Sequence, residues 1–364
     1  MARKNHTFYF AERPVGEIVP GRTFNYVEAD APTAEELKDG QVLVETLYLS
    51  LDPAMRGWLQ EFRSYMPPVA IGDRMRGDIV GRVLASKSSK AKEGDLVYSF
   101  AGWTEMLILD ESNINVLKLP PGAKPTHALG VLGLTGLTAY FGLSKIGQPK
   151  PGDTVVVSGA AGAVGSVAGQ LARIMGAKHI VGIAGSEEKC KLLTEELGFD
   201  AAINYKSPTF REDFSKAVPD YINVFFDNVG GEVLETALHL AAPFSRFVMC
   251  GSISGYNKFA EGTDGIPEIA GVRNLYRVIT HRVRMEGFIF TDFLQEVPEA
   301  RAQLAQWLAE GEIKAKETIV KGGLKVADTA INQLFTGGNT GKLIVEVKPY
   351  EEVSNSSVIN QCFQ

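Results

Sequence analysis

Cysteine is scarce in this chain, with 3 in 364 residues, and its scarcity limits the chemistry that the protein can perform. Cys190, Cys250 and Cys362 show no CxxC spacing, so we expect neither a disulfide framework nor a structural zinc lobe. No cysteine precedes Cys190, and the only histidines before the glycine-rich stretch that starts at Gly159 are His6 and His127. Because catalytic zinc needs several thiolate or imidazole ligands, we expect a protein that works without metal.

Concentrated positive charge and an uninterrupted apolar span are also missing. Lys and Arg number 37 against 43 Asp and Glu, a net charge of −6 without a basic block, so nucleic-acid binding is not expected. Two uncharged stretches, Pro125–Ser144 and Thr154–Ala172, approach the length of a membrane span, but glycines interrupt both, and we interpret them as buried globular segments. The N-terminal residues lack the apolar run of a secretory signal. These features favour a cytoplasmic protein with no membrane partner.

The apolar residues that are present follow two successive patterns. Before Thr126, short strands predict an irregular, mostly antiparallel β domain, and they cover Gln41–Ser50, Asp78–Ser86, Asp95–Phe100 and Glu105–Leu109. After Asp153, strands alternate with helices, which predicts an α/β unit with a doubly wound parallel sheet. Its strands are Thr154–Ser158, Ile180–Ala184, Val224–Phe226 and Phe247–Cys250, and its helices are Val164–Met175, Ser186–Leu197 and Glu232–Ala241. A helix at Arg301–Glu310 and a strand at Lys342–Val347 predict a return to the first domain.

A glycine-rich turn follows the first strand of the parallel sheet. Ala160, Gly162 and Gly165 occupy the three small-residue positions of the G-x-G-x-x-G pattern, with alanine for the first glycine. The helix that follows would offer its free N-terminal N–H groups to a pyrophosphate. We therefore predict that a dinucleotide binds Ala160, Gly162, Ala163, Val164 and Gly165.

The residues after the second strand indicate which dinucleotide is bound. NAD-binding proteins usually end this strand with an acidic residue that holds the ribose 2′-hydroxyl, and none follows Ala184 directly. Glu187 and Glu188 come slightly later, where acidic side chains also stabilise a helix N-terminus. Lys189 and Tyr205 could bind a 2′-phosphate, although Lys189 alone is also explained as a solvated helix lysine. Together these residues predict NADPH.

Several motifs, taken together, resemble those of the zinc-independent medium-chain dehydrogenase/reductases. The closest resemblance is to prostaglandin and leukotriene reductases, plant alkenal double-bond reductases and bacterial curcumin reductase, and it extends to about Pro349. The motifs are Leu49–Gly57 (LSLDPAMRG), Gly133–Tyr140 (GLTGLTAY), Ala160–Ser166 (AAGAVGS), Phe226–Gly231 (FDNVGG), Cys250–Asn257 (CGSISGYN) and Gly337–Lys342 (GGNTGK).

This resemblance implies a GroES-like β-rich catalytic domain and a Rossmann cofactor domain, in a chain that forms homodimers. The catalytic domain would comprise residues 1–130 and 308–350, the Rossmann domain residues 131–307, and a flexible tail residues 351–364. The implied contacts of the cofactor are Lys189, Tyr205, Asn228, Cys250, Ser252, Tyr256, Phe288, Phe290 and Asn339. The two asparagines are also explained by their glycine-rich turns, the two phenylalanines by a core strand, and Cys250 by packing.

The resemblance also implies a reaction, the reduction by NADPH of the C=C bond of an α,β-unsaturated aldehyde or ketone. Tyr256 is the candidate catalytic residue, either as hydrogen-bond donor to the substrate or as a residue that positions the nicotinamide and its ribose. Many relatives have tyrosine where this chain has Ala54, which leaves Tyr65 as the aromatic residue expected near the substrate. Substrate choice would depend on Ala54, Tyr65 and Lys258–Glu268. The alternatives are a quinone reductase and a non-catalytic NADP(H)-binding protein.

Overall fold

The computed structural model describes residues 3–259 and 271–350, which form three sheets with helices packed around them. In chain order the strands are β1 Lys4–Phe10, β2 Phe24–Asp30, β3 Gln41–Leu51, β4 Ile79–Ser86, β5 Leu96–Ser99, β6 Met106–Asp110, β7 Asn115–Val116, β8 Thr154–Ser158, β9 His179–Ala184, β10 Ala201–Asn204, β11 Ile222–Asp227, β12 Ala241–Met249, β13 Arg284–Gly287, β14 Glu317–Lys321 and β15 Lys342–Glu346. The α-helices are α1 Ala54–Trp58, α2 Leu134–Phe141, α3 Ala163–Ile174, α4 Glu187–Lys191, α5 Phe210–Ala217, α6 Gly231–His239, α7 Tyr276–His281, α8 Val297–Ala309, α9 Ala327–Ala330 and α10 Gln333–Thr336.

The second half of the chain forms a parallel sheet of six strands in the order β10-β9-β8-β11-β12-β13. Counted from β8, this is the strand order 3-2-1-4-5-6 of the Rossmann fold. The β8 side chains are buried on both faces, because Val155 and Val157 pack with α2 and α3 while Val156 packs with α5 and α6. Burial on both faces explains why this strand is a continuous apolar run rather than an alternating one.

Strands β3 to β7 form a seven-stranded sheet together with β14 and β15 from the end of the chain. Strand β15 pairs antiparallel with β3, which places Leu343 opposite Leu51. The predicted return of the chain to the first domain is confirmed for the strand by this pairing, whereas the predicted helix, α8, packs with the core of the parallel sheet through Ala300 and Leu304. The other pairs of the sheet are antiparallel, as predicted, except for the parallel pair of β14 with β15. The α/β fold class, with a β-rich domain and a Rossmann-type sheet, is therefore confirmed. The numbered domain limits stay a prediction, and residues 351–364 lie outside the described residues.

Several boundaries differ from the sequence-based expectation, among them the ends of the helix expected over Ser186–Leu197, in which α4 ends at Lys191 and a π-helical turn continues to Glu196. The helix expected over Glu232–Ala241 ends at His239, and Ala241 already belongs to β12, where it pairs with Ile222 before a shift in register. The helix expected at Arg301 starts at Val297, because a proline in its first turn is compatible with a helix start. The predicted cap of α4 is confirmed, since the Ser186 hydroxyl accepts the Lys189 backbone N–H at 3.3 Å.

Across the described parts of the chain, no helix is both long and apolar enough to span a bilayer.

Candidate cofactor and substrate site

The glycine-rich turn between β8 and α3 has almost no room for side chains. A Cβ atom at Gly165 would lie 2.3 Å from the Gly159 carbonyl oxygen, so only glycine lets the helix start this close to the strand. A Cβ at Gly162 would lie 3.2 Å from the same oxygen, and Gly159 itself has a positive φ of 58°. The turn therefore exposes backbone N–H groups at the start of α3, including those of Ala163 and Val164, which is an arrangement suited to a phosphate.

A segment from the other end of the chain lies directly against this turn. The Gly341 N–H donates to the Ala161 carbonyl at 2.8 Å, and Gly341 forms an isolated parallel bridge with Gly162. Asn339 is buried in this segment, and its side-chain amide donates to the Gly341 carbonyl at 2.9 Å. The structure thus brings Asn339 next to the predicted dinucleotide site, while its amide also stabilises its own turn.

The carboxyl end of β11 is organised by Asp227, which the sequence reasoning did not single out. This fully buried carboxylate accepts the Ser158 hydroxyl at 2.7 Å and the backbone N–H groups of Val229 and Gly230 at 3.0 Å each. Burial raises its pKa despite these bonds. Asn228 donates its side-chain amide to the Ser158 carbonyl at 2.7 Å, so it is fixed between the ends of β8 and β11. In the sequence, the signal for Asp227 was its place directly before Asn228 in the motif FDNVGG.

The loop that follows β12 carries Tyr256, as predicted, at the carboxyl edge of the parallel sheet. The backbone N–H groups of Cys250 and Gly251 donate to the Asp227 carbonyl at 2.9 and 3.0 Å, which ties this loop to β11. The Tyr256 phenol oxygen accepts the Ser252 N–H at 3.2 Å, and burial raises the pKa of this phenol above its ordinary value of 10.0. Tyr256 is therefore protonated at neutral pH, and its O–H has no acceptor within residues 3–259 and 271–350.

Cys250 lies at the start of the same loop and is not a nucleophile in this setting. Burial, followed by the nearby charge of Asp227, raises the pKa of its thiol to about 12. A thiol with so high a pKa carries almost no thiolate at neutral pH. This chemistry agrees with the packing alternative for the Cys250 side chain.

Helix α1 and Tyr65 form a second wall beside the Tyr256 loop. A 3₁₀ helix over Ile253–Lys258 contacts both α1 and α10. Both of these helices belong to the predicted catalytic domain, so this loop of the predicted Rossmann domain contacts the other domain. On this wall the Trp58 indole N–H donates to the Tyr65 phenol oxygen at 2.8 Å. Tyr65 is 54% exposed, but the part of its side chain that packs against the protein is desolvated, and this raises the pKa of the phenol. Tyr65 and Tyr256 are near enough for the charge of one to raise the pKa of the other.

A further contact between the two halves at this place is aromatic. The ring of Phe259 packs on Phe62 with centroids 5.3 Å apart, and it lies 6.0 Å from the guanidinium of Arg56. Of the predicted specificity segment Lys258–Glu268, residues 260–268 lie outside the described residues. The described part shows that Phe259 meets the same wall that carries Trp58 and Tyr65.

Phe288 and Phe290 lie differently from the other predicted contacts. Phe288 is buried in the core beside the parallel sheet, where a Cβ at Gly142 would lie 2.8 Å from its ring. Phe290 is partly buried and packs against the same core. Both side chains therefore contribute to the core, and a cofactor contact from this segment stays a prediction.

The predicted 2′-phosphate residues meet at the end of β9. The Tyr205 ring lies over Gly185, where a Cβ would be 3.0 Å from the Tyr205 Cε1 atom. The Lys189 ammonium donates to the Gly337 carbonyl at 2.9 Å, and burial lowers its pKa. Glu187 is held by the Asn204 side-chain amide at 2.9 Å, so this oxygen of the nearest acid is already bonded. This end of the site is basic and aromatic, and it fits a 2′-phosphate better than a free 2′-hydroxyl.

Taken together, these residues fit NADPH. A turn free of side chains and a helix N-terminus suit its pyrophosphate, Lys189 and Tyr205 suit its 2′-phosphate, and Asn228, Ser252 and Tyr256 lie along the sheet edge where the rest would extend. A Cβ at Gly230 would lie 2.7 Å from the Ser252 Oγ, which shows how closely this loop approaches the end of β11.

A buried ionic cluster lies between the end of β3 and the start of α1, and the sequence analysis did not predict it. The Lys342 ammonium donates to the Leu51 carbonyl at 3.0 Å and to the Asp52 carboxylate, and both charged side chains are almost fully buried. Nearby, Asp78 accepts the Tyr98 hydroxyl at 2.6 Å, and burial raises its pKa to about 6. The available signal was the place of Asp52 within the motif LSLDPAMRG and of Lys342 within GGNTGK.

Within residues 3–259 and 271–350, no three His, Cys, Asp or Glu side chains are grouped so that they could hold a metal ion. Metal-independent activity stays a prediction.

Comparisons with known proteins show that the chain is similar to known oxidoreductases. Residues 6–117 match the family described as the N-terminal domain of oxidoreductase, and residues 163–310 match the family described as zinc-binding dehydrogenase. The chain is 38% identical to the NADPH-dependent curcumin reductase of Escherichia coli, over 95% of this chain and 97% of that protein. It is also 38% identical to the NADP-dependent 2-alkenal reductase of Nicotiana tabacum, over 84% of this chain and 87% of that protein.

A solved structure is similar over the same length. The crystal structure of CurA from Vibrio vulnificus in complex with NADPH superposes with a TM-score of 0.86 at 37% identity. The similarity covers 95% of this chain and 100% of that one. The predicted NADPH dependence is confirmed by the NADP-dependent relatives together with this complex.

Proposed function

Since the chain belongs to the zinc-independent medium-chain dehydrogenase/reductases, we propose that it reduces the C=C bond of α,β-unsaturated aldehydes and ketones. That it is an NADPH-dependent oxidoreductase follows from its relatives. The substrate class is the further step, and it rests on the geometry of the two phenols and on the names of the relatives.

The observation that carries the proposal is the hydrogen bonding of Tyr256. Its phenol oxygen already accepts the Ser252 N–H, so the hydroxyl hydrogen is the part of the group still available. Reduction of a conjugated C=C places negative charge on the carbonyl oxygen, and a fixed donor at that oxygen stabilises the charge. The raised pKa keeps this donor protonated across the neutral range.

Bound NADPH would supply the hydride that adds to the β-carbon of the substrate. The protein's part is to hold the carbonyl oxygen with the Tyr256 O–H and to let the α-carbon take one proton from water. The overall change is the addition of one hydride and one proton across C=C, which leaves the C=O group intact. Neither an alkoxide nor a Lewis acid is needed to form the saturated product.

Tyr65 provides a second donor on the opposite wall. Its oxygen accepts the Trp58 N–H, and its O–H has no acceptor in the part of the chain that the structure describes, so it can donate to a substrate. Because Ala54 leaves space where many relatives have a tyrosine, we propose that Tyr65 orients the substrate across that space. Tyr65 would then affect substrate affinity more than the chemical step.

The names of the relatives support the same class. The tobacco relative is named for 2-alkenals, which have a C=C bond conjugated to an aldehyde, and the Escherichia coli relative is named for curcumin. Within this family, the shape of the pocket near Ala54 and Tyr65 would decide which carbonyl compounds are accepted.

The proposal is tested by a screen of NADPH oxidation with alkenals, enones and quinones, matched in size. We expect turnover with alkenals or enones and formation of the saturated carbonyl compound. Turnover restricted to quinones would identify a quinone reductase instead. Tight NADPH binding without turnover of any acceptor would favour a non-catalytic binding protein.

We further propose a cytoplasmic homodimer with its domains divided at about residues 130 and 308. Strand β13 is an edge of the six-stranded sheet, and exposed Leu275, Tyr276 and Ile279 lie close to it in the chain. An unpaired edge next to exposed apolar residues is suited to a second copy of the chain. Light scattering on the purified protein should give twice the chain mass, and cell fractionation tests the location.

A further inference from the structure

Lys206 stands beside the predicted 2′-phosphate residues but was not among them. Its ammonium lies 5.8 Å from the centre of the Tyr205 ring, in the range of a cation–π contact. The Tyr205 ring in turn lies on Gly185 at the end of β9, and the Tyr205 N–H donates to the Ala184 carbonyl at 3.0 Å. Lys206 is therefore placed at the same strand ends as Lys189 and Tyr205.

Asn204 fixes this arrangement with both ends of its side chain. Its carbonyl oxygen accepts the Lys206 backbone N–H at 3.0 Å, which turns the chain directly after β10. Its amide donates to Glu187 at 2.9 Å. One residue thus holds Lys206 at the site and binds the acid that could otherwise pair with a lysine there.

Neither Lys189 nor Lys206 forms a salt bridge with a carboxylate in the described part of the chain. Among the described residues, the lysines in salt bridges are Lys4, Lys145, Lys316, Lys342 and Lys348, and neither Lys189 nor Lys206 is one of them. Burial, and then the nearby charge of Lys206, lowers the pKa of Lys189, against the opposing charge of Glu188. Two like charges held together lose their repulsion when a dianion binds between them.

We propose that Lys206 is a second cationic ligand of the 2′-phosphate of NADPH and that it determines cofactor preference together with Lys189. The two lysines have different roles. Lys189 is partly buried and donates to the Gly337 carbonyl, so its ammonium is already held in the position where it would bind the phosphate. Lys206 is exposed, and its ammonium has no hydrogen-bond or salt-bridge partner among the described residues, so its long side chain can leave the face of Tyr205 and move onto the phosphate after it arrives.

The test measures binding of 2′-AMP and 5′-AMP to the purified protein by calorimetry, with no acceptor substrate present. Lys206→Met should weaken 2′-AMP binding about three- to tenfold, since an exposed charged contact contributes less than a buried one. Binding of 5′-AMP should not change. Lys189→Met should weaken 2′-AMP binding more, about tenfold or beyond.

The matched control is Lys191→Met, which removes the same charge from an exposed position on α4. It should leave the affinity for 2′-AMP unchanged. NADPH and NADH affinities measured by nicotinamide fluorescence should follow the same order, with loss for NADPH alone. Lys206→Arg should retain most of the affinity because it keeps the charge.

Three results would overturn the proposal. These are unchanged 2′-AMP affinity in Lys206→Met, equal loss for 2′-AMP and 5′-AMP, and an equal loss in Lys191→Met. Because the assay contains no enone or quinone, its outcome does not depend on the proposed reaction.

Discussion

The indole N–H of Trp58 donates to the phenol oxygen of Tyr65 at 2.8 Å, which orients the ring of Tyr65, and the Tyr65 hydroxyl has no acceptor among the described residues. Trp58 is itself held by an edge-to-face contact with Phe100, with ring centroids 5.8 Å apart. In the proposed function, this oriented donor holds the carbonyl oxygen of the substrate. The substrate role of Tyr65 is therefore a prediction that substitution can test.

Replacing Tyr65 with phenylalanine tests this role. We expect the KM of an enone to rise about three- to tenfold, the loss of one neutral hydrogen bond, with a smaller change in kcat. Steady-state kinetics at saturating NADPH give both constants. Trp58→Phe should move KM in the same direction but less, because the Tyr65 hydroxyl is kept. An unchanged KM in Tyr65→Phe would remove this residue from the substrate site.

Replacing Tyr256 with phenylalanine tests the catalytic donor. Loss of one donor to a developing oxyanion lowers kcat by about 10²–10³ in favourable cases, and we expect about 10² or less because Tyr65 remains. The affinity for NADPH should stay the same in a fluorescence titration. Equal kcat in the two proteins would mean that Tyr256 only packs the loop.

The same donor predicts the alkaline limit of activity. Tyr256 must be protonated to donate, and burial raises its pKa above the ordinary 10.0. We therefore expect kcat to be lost only as the pH rises beyond that ordinary value, through the raised pKa. A decline of kcat in the wild type centred near pH 8, and absent in Tyr256→Phe, would contradict this assignment.

The buried carboxyl of Asp78 predicts a dependence of stability on pH. Its pKa is raised from 3.8 to about 6, first by burial and then by the charge of Asp52, against the opposing effects of the Tyr98 hydroxyl and Lys342. A raised folded-state pKa means that the stabilisation is present below the unfolded value and is lost as the pH rises through the folded one. Asp78→Asn keeps an acceptor for Tyr98 and does not ionise.

The free energy of unfolding of the wild type, relative to Asp78→Asn, should therefore fall by ~1–2 kcal/mol between about pH 5 and about pH 7.5. Urea unfolding of both proteins at the two pH values measures it. A difference that is constant with pH would show that Asp78 does not titrate in this range.

The prediction of metal-independent activity is tested with a strong chelator. The sequence has no cysteine before Cys190, so a thiolate-ligated zinc is not expected near the substrate wall. Turnover should be unchanged after dialysis against the chelator, under conditions that inactivate a zinc alcohol dehydrogenase used as control. Activity that disappears and returns with added zinc would overturn the prediction.

Local chemistry explains which features could be predicted from the sequence. Strand Thr154–Ser158, the turn at Gly162 and Gly165 and the cap at Ser186 depend on residues close together in the chain, and the structure has all of them as predicted. The overall division into a β-rich part and a parallel sheet follows from the same local periodicity.

Other features depend on residues that only folding brings together. Lys342 pairs with Asp52 across almost the whole chain, and no local pattern predicts that either charge is buried. In the sequence, Lys206 cannot be distinguished from other exposed lysines, and only the structure shows that its ammonium lies near the Tyr205 ring. Phe288 fits both a core strand and a cofactor contact in the sequence, and its burial supports the core alternative.

The central claim, addition of hydride to the β-carbon, is tested most directly by following the label from NADPH deuterated at the transferred position. The account predicts a saturated ketone or aldehyde with one deuterium on its β-carbon, and no label on the carbonyl carbon. Proton and deuterium NMR of the product distinguish the two positions. An allylic alcohol with deuterium on its carbinol carbon would contradict the account.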